Sequence, residues 1–280
     1  MKNIISPCLW FDQNAAQAAE FYCSVFKDSK ITLETPILVR FESAGQSFTC
    51  LNGGPKSKIN PSISFFYISE SAEEIDDIWE ALTAGGAVMM PLDKYEWSDR
   101  YGWVQDKFGV SWQLSLGPLS DIGQKITPCL MFVGDRYGRA EEALNHYTSI
   151  FKDSAVDGIL HFGDGEAPDE PGAVKHAQFA VAGYKMMVMD SAHQHDFSFN
   201  EGVSLVVSCH TQEEIDYYWA KLIEDGEESM CGWLKDKFGV SWQVIPAAIG
   251  QLITDPNRSS QTMSALLQMK KIDIAQLMAA

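Results

Sequence analysis

Two twelve-residue stretches, GWVQDKFGVSWQ at 102–113 and GWLKDKFGVSWQ at 232–243, agree at ten positions. Self-similarity on that scale constrains the fold more than any local propensity does. Other landmarks repeat in the same order. ISPCL at 5–9 returns as ITPCL at 126–130, and each is followed by a helical pattern that ends in FKDS, at 26–29 and 151–154. Asn60 matches Asn200, Ser64 matches Ser204, and EEID at 73–76 matches EEID at 213–216. The 280-residue chain therefore reads as a tandem duplication, with one unit over residues 1–117 and a second over 126–247. A helical tail over 248–280 follows.

Each unit divides again. Ala15, Ala19, Tyr22 and Phe26 share one helical stripe, copied as Ala140, Leu144, Tyr147 and Phe151. A second helix opens with a capping box, Ser71 to Glu74, copied as Thr211 to Glu214. Gly85 and Gly226 stop the two copies of that helix. Strand-like runs surround these helices, so each unit spells βαβββ twice and the chain holds four such modules. The predicted class is α+β. In the tail, Ser259, Ser260 and Asp273 stand as helix caps, and Met263, Leu266, Leu267, Ile274 and Leu277 recur at helical spacing. That pattern predicts a tail docked on its own units.

Composition narrows the function. Asp and Glu outnumber Lys and Arg 38 to 21, a field that repels phosphate backbones and excludes nucleic acid as a partner. No apolar run reaches the length of a membrane span, and Pro7 and Asp12 interrupt any leader-like segment. Six cysteines without a CxxC pair, beside eight tryptophans, predict free thiols in a reducing, cytoplasmic setting.

The motifs PCLWF at 7–11, LNGGP at 51–55, NPSISF at 60–65, DKFGVSWQ at 106–113 and 236–243, and LLQMKKIDIAQL at 266–277 resemble the vicinal oxygen chelate superfamily. That superfamily includes glyoxalase I, bleomycin resistance proteins and extradiol dioxygenases. The better match is its PhnB-like branch, often labelled 3-demethylubiquinone-9 3-methyltransferase. The resemblance implies tandem units in which paired βαβββ modules form a cupped mixed sheet around a small-molecule site. It also implies an internal pseudo-dimer, either alone or within a homodimer of such chains.

Metal-using relatives place ligands at positions that fall here on Pro7 and Pro128, near Ser62 and Gly202, near Asn52 and Asp190, and on Gln113 and Gln243. Nearly all imidazole and carboxylate donors are missing from that set, so no metal cofactor is expected. The implied function is a metal-independent small-molecule binder. The alternative is an enzyme: a lyase, isomerase or dioxygenase if a metal binds, or a methyltransferase by family label. Against the last reading, GDG at 163–165 lacks the rest of a dinucleotide fingerprint.

The repeated DKFGVSWQ reads first as a hairpin, with Asp and Gly as turn residues and the final Gln facing a cup. The insertion at 93–101, DKYEWSDRY, supplies aromatic faces and a guanidinium. The expected principal pocket lies in unit one, lined by Asn52, Trp97, Arg100, Tyr101, Trp103 and Gln113. The expected second cup, in unit two, holds Asp190, His193, Cys231 and Gln243. All six histidines lie in unit two, where His193 and His195 read either as part of a metal site or as a solvated loop. Cys8 and Cys129 read as small buried hydrophobes, and no catalytic residue is assigned.

Overall fold

The computed structural model describes residues 3–279. Four βαβββ modules follow one another. The first is β1 (Ile5–Phe11), α1 (Ala15–Val25), β2 (Ser29–Glu34), β3 (Leu38–Ser43) and β4 (Gln46–Asn52). The second is β5 (Ile63–Ser69), α2 (Ala72–Thr83), β6 (Ala87–Tyr95), β7 (Ser98–Gln105) and β8 (Ser111–Leu116). The third is β9 (Ile126–Val133), α3 (Ala140–Ile150), β10 (Ala155–His161), β11 (Val174–Val181) and β12 (Tyr184–Ser191). The fourth is β13 (Val203–Cys209), α4 (Gln212–Leu222), β14 (Glu227–Glu228), β15 (Trp233–Lys235) and β16 (Ser241–Pro246). The tail forms α5 (Ile249–Thr254), α6 (Ser259–Leu266) and α7 (Ile274–Ala279).

The modules do not pair within their units. Sheet I runs β14-β15-β16-β13-β1-β4-β3-β2 and joins the first module to the fourth. Sheet II runs β10-β11-β12-β9-β5-β8-β7-β6 and joins the third to the second. The seams are equivalent antiparallel ladders, with Cys8 opposite Ser204 in sheet I and Cys129 opposite Ser64 in sheet II. The α+β class and the eight-stranded mixed sheets are as expected. The expectation that each cup belongs to one unit is corrected, because each cup takes one module from each unit.

Strand alternation decides what faces where. On β1, Ile5, Leu9 and Phe11 join the main core, while Ser6, Cys8 and Trp10 face the concave side. The core lies between the sheets together with the helices. Phe48 of sheet I meets Phe65 of sheet II at 5.7 Å between ring centroids, and Tyr22 of α1 meets Trp112 of β8 at 5.5 Å. The two modules of a unit thus pack back to back through their helices.

The helix-cap predictions are half met. Ser71 accepts from the Glu74 amide at 3.2 Å, and Thr211 accepts from the Glu214 amide at 3.2 Å. The reciprocal bonds go elsewhere: Glu74 takes hydrogen bonds from Tyr67, Ser69 and Lys125, while Glu214 takes the His210 amide. In the tail, Asp273 accepts from the Gln276 amide at 2.9 Å. Ser259 and Ser260 sit inside α6 without capping it, because Asp255 and Arg258 supply the entry turn. The tail docks as expected, with Ile272 and Leu277 fully buried.

Candidate functional site

The concave face of sheet I encloses a cavity of about 620 Å³. Its floor comes from alternate residues of β1, β3, β4, β13 and β16, and α5 and α6 roof it with Ile249, Ile253, Met263 and Leu266. At the floor, Gln243 donates to Ser204 Oγ at 2.9 Å beside Cys8. Burial pushes the Cys8 thiol up to about 11, against hydrogen bonds with Gln243 and Ser204 and the charge of Arg40. Trp10 and Trp233 meet edge to face at 5.6 Å, and the Trp10 indole N–H donates to the Gly54 carbonyl at 2.7 Å. Gly53 has no room for a side chain, since a Cβ there would overlap the Trp10 ring.

Sheet II carries the same floor and fills the space above it. Gln113 donates to Ser64 Oγ at 2.8 Å and accepts from the Tyr101 hydroxyl at 2.7 Å. Phe66, Ile68, Cys129, Met187 and Met189 pack together over that floor. Ladder registers identify the residues at the matching places in sheet I. Thr49 stands for Met187, since each is opposite the β1 or β9 cysteine. Val206 and Ser208 stand for Phe66 and Ile68 by their pairing with β16 and β8. Two residues before the equivalent tryptophans stand Tyr101, on β7, and Cys231, which lies in a turn at φ 62° and also lines the sheet I cavity. At Thr49, Val206 and Ser208 the side chain is smaller in sheet I, where the cavity lies, while Ile245 and Trp10 are larger than their counterparts Ser115 and Met131.

The polar groups differ in the same sense. In sheet II the Trp103 indole donates to Ser111 Oγ at 2.7 Å. In sheet I, Trp233 turns to Trp10 instead, and Ser241 Oγ is buried without a partner among the described residues. A buried hydroxyl left without a partner is costly.

The expected principal pocket does not form as one site. Asn52 ends β4 in sheet I and acts structurally: its Oδ1 accepts from the Ala15 amide at 3.0 Å and its Nδ2 donates to Pro36. Asp190 is its counterpart, accepting from the Gly138, Ala140 and Val174 amides. Both short polar side chains thus cap the first helix of their unit from outside. Trp97, Tyr101, Trp103 and Gln113 do share sheet II, where Trp97 stacks on Tyr95 and both meet Tyr101 edge to face at the tip of the β6–β7 hairpin. Arg100 points away, to an ion pair with Asp76 of α2. The segment at 93–101 is a hairpin tip rather than an open loop.

The expected second cup divides likewise. Cys231 and Gln243 line the sheet I cavity, while Asp190 and His193 belong to the third module and its following loop. His195 pairs with Ser191 at 3.0 Å and lies on Phe197. The first-strand positions Pro7 and Pro128 turn toward the opposite sheet face from Cys8 and Cys129. Sequence reasoning missed Arg40, Thr49, Trp10, Trp233 and the tail roof.

The duplicated Asp106 and Asp236 are structural. Asp106 accepts from Tyr22, Trp112 and the Phe108 and Val110 amides. Asp236 accepts from Tyr147, Trp242 and the Phe238 and Val240 amides.

The superfamily's divalent metal does not fit the residues present. Among the described residues no group of three or more His, Cys, Asp and Glu side chains is placed to share an ion. The donors at the cavity floor are an amide, a hydroxyl and a thiol held protonated by burial, which do not offset dehydration of a divalent cation. No helix among the described residues is long and apolar enough to cross a membrane, and all six cysteines are free.

A family model described as 3-demethylubiquinone-9 3-methyltransferase matches residues 3–115 and 124–245. No curated protein matches the chain. Among solved structures, a PhnB protein of Bacillus cereus that carries the same family description is 33% identical, covering 40% of this chain and 98% of its own, with a TM-score of 0.38. Glyoxalase I of Zea mays is 10% identical and covers 88% of this chain and 92% of its own, with a TM-score of 0.58. The maize likeness shows the fold alone. With both matched segments lying on the two repeats, the chain belongs to the 3-demethylubiquinone-9 3-methyltransferase family and carries its unit twice in tandem.

Proposed function

We propose that the chain binds a small organic molecule, without a metal, in the sheet I cup beneath the C-terminal tail. The observation that carries this reading is the contrast between two equivalent cups. One is packed by Met187, Phe66 and Ile68, and the other substitutes Thr49, Val206 and Ser208 and stays open. Core packing tolerates few voids, so a cavity of this size in an otherwise close-packed fold is a feature to be explained by an occupant. At the cavity floor binding is favoured over acid–base turnover, because Gln243, Ser204 and the Cys8 thiol exchange no proton near neutrality; the imidazole in the lining, His210, lies beyond the end of β13.

Rebuilding the filled cup inside the open one tests the reading. Thr49→Met combined with Val206→Phe copies the side chains that sheet II already accommodates at the ladder-matched positions. Saturation-transfer NMR on a mixture of aromatic and aliphatic fragments should show binding to the natural chain and none to the double variant, with an unchanged or raised melting temperature. Equal binding by both proteins would overturn the proposal.

A further inference from the structure

Arg40 sets the open cup apart in charge as well as volume. It lies on the concave face of β3, lines the cavity and is half-buried. Its guanidinium makes no hydrogen bond or ion pair among the described residues, although its own backbone carbonyl does accept a hydrogen bond. Burial holds its pKa below the ordinary arginine value. Glu42, two residues further along the same face, is paired with Lys30 at 3.5 Å. In sheet II the position matching Arg40 is Gln178, opposite Met187 as Arg40 is opposite Thr49. Gln178 is neutral and bonds to the Asp121 carbonyl and to Asp157. The unpaired cation is therefore specific to the cup that has room.

The tail passes directly over this cation. Gly250 passes so close that a Cβ there would stand 2.8 Å from Arg40 Nη1. A half-buried guanidinium with five donors and no acceptor is an expensive arrangement for a protein to keep empty. An anion repays it through charge-assisted, bidentate hydrogen bonds.

We propose that the sheet I cavity selects an organic carboxylate: a monoanion held by Arg40, with an apolar body against Trp10, Trp233, Leu51, Ile245, Met263 and Leu266. The proposal rests on the small-molecule reading above and adds the ligand's chemical class. Among the described residues Arg40 is the one Lys or Arg in the lining, and with Glu42 on the same face it suits one negative charge better than two, which favours a carboxylate over a phosphate monoester. The mixed wall of aromatic and aliphatic groups suits a body of aromatic or medium-chain aliphatic type.

Matched pairs of acid and alcohol test this on the full chain, with affinities taken from calorimetric titration. Suitable pairs are 4-phenylbutyrate with 4-phenylbutanol, indole-3-acetate with tryptophol, and octanoate with octanol, with phenyl phosphate as a dianionic arm. The expected result is at least one pair in which the acid binds about tenfold or more tighter than its alcohol. In Arg40→Gln, acid and alcohol should bind alike. The comparison on the natural chain stands even if that variant folds poorly. Acid and alcohol binding equally to the natural chain would overturn the anion proposal and leave the cavity reading intact. Binding by no member of any pair would overturn the cavity reading itself. Phenyl phosphate binding more tightly than every acid would overturn the carboxylate assignment.

Discussion

At the residue scale, the Asp106 carboxylate takes four hydrogen bonds inside the protein, two from the backbone of its own turn and one each from Tyr22 and Trp112. It ties α1, the turn and β8 to one atom pair, which explains why DKFGVSWQ survives in both units without serving a reaction. Asp106→Ala leaves those donors buried without an acceptor and should destabilise the chain by about 4 kcal/mol, read from the urea midpoint. A loss under about 1 kcal/mol would mean that the network is not needed. Glu74 carries a pH dependence. Burial pushes its carboxyl up, but hydrogen bonds from Ser69, Lys125 and Tyr67 outweigh that and hold it below the ordinary carboxylate range. Its ionised form thus favours the fold at pH values above the ordinary carboxylate pKa, and that contribution is lost as pH falls through the folded value. Glu74→Gln should therefore flatten the decline in melting temperature between about pH 5 and pH 3. An identical decline in the variant would contradict this.

Among the elements, the helices and most strands were legible because both copies repeat the same stripes, and a stripe seen twice is hard to mistake. The site was less legible. The aromatic insertion at 93–101 drew attention, yet it folds as the tip of β6–β7 and helps close sheet II, with Trp97 stacked on Tyr95. The signal for the open cup lay in differences between the copies: Thr49 against Met187, Val206 against Phe66, Ser208 against Ile68. Those contrasts become readable only once the strand register says which residues face the same way. The tail serves sheet I where the fourth module lacks a long hairpin. The Cys231 and Gly232 amides donate to the Met269 and Lys270 carbonyls. Ile272 and Leu277 are buried at no measurable exposure, worth together about 3–6 kcal/mol. Deleting residues 258–280 should lower the melting temperature by about 10 °C, and an unchanged melting curve would show that the tail is not part of the fold.

For the whole molecule, pairing of the first module with the fourth, and of the second with the third, makes the open cup a joint product of both units. Sequence could not reveal this. The seam strands β5 and β13 both offer a serine opposite an equivalent cysteine, so either partner satisfies the ladder chemistry of β1. Packing through α1 and α2 decides the matter, because it occupies the back faces within a unit and leaves the seams to join across units. Duplication leaves one cup filled and the other open, and the open one is the proposed ligand site. Difference electron density from a crystal of the chain grown with a bound organic acid tests that division most directly. The account predicts density in the sheet I cup beside Arg40, between Trp10 and Trp233 and beneath α6. Density in the concavity of sheet II, around Tyr101 and Met187, with the sheet I cup free of it, would contradict the account.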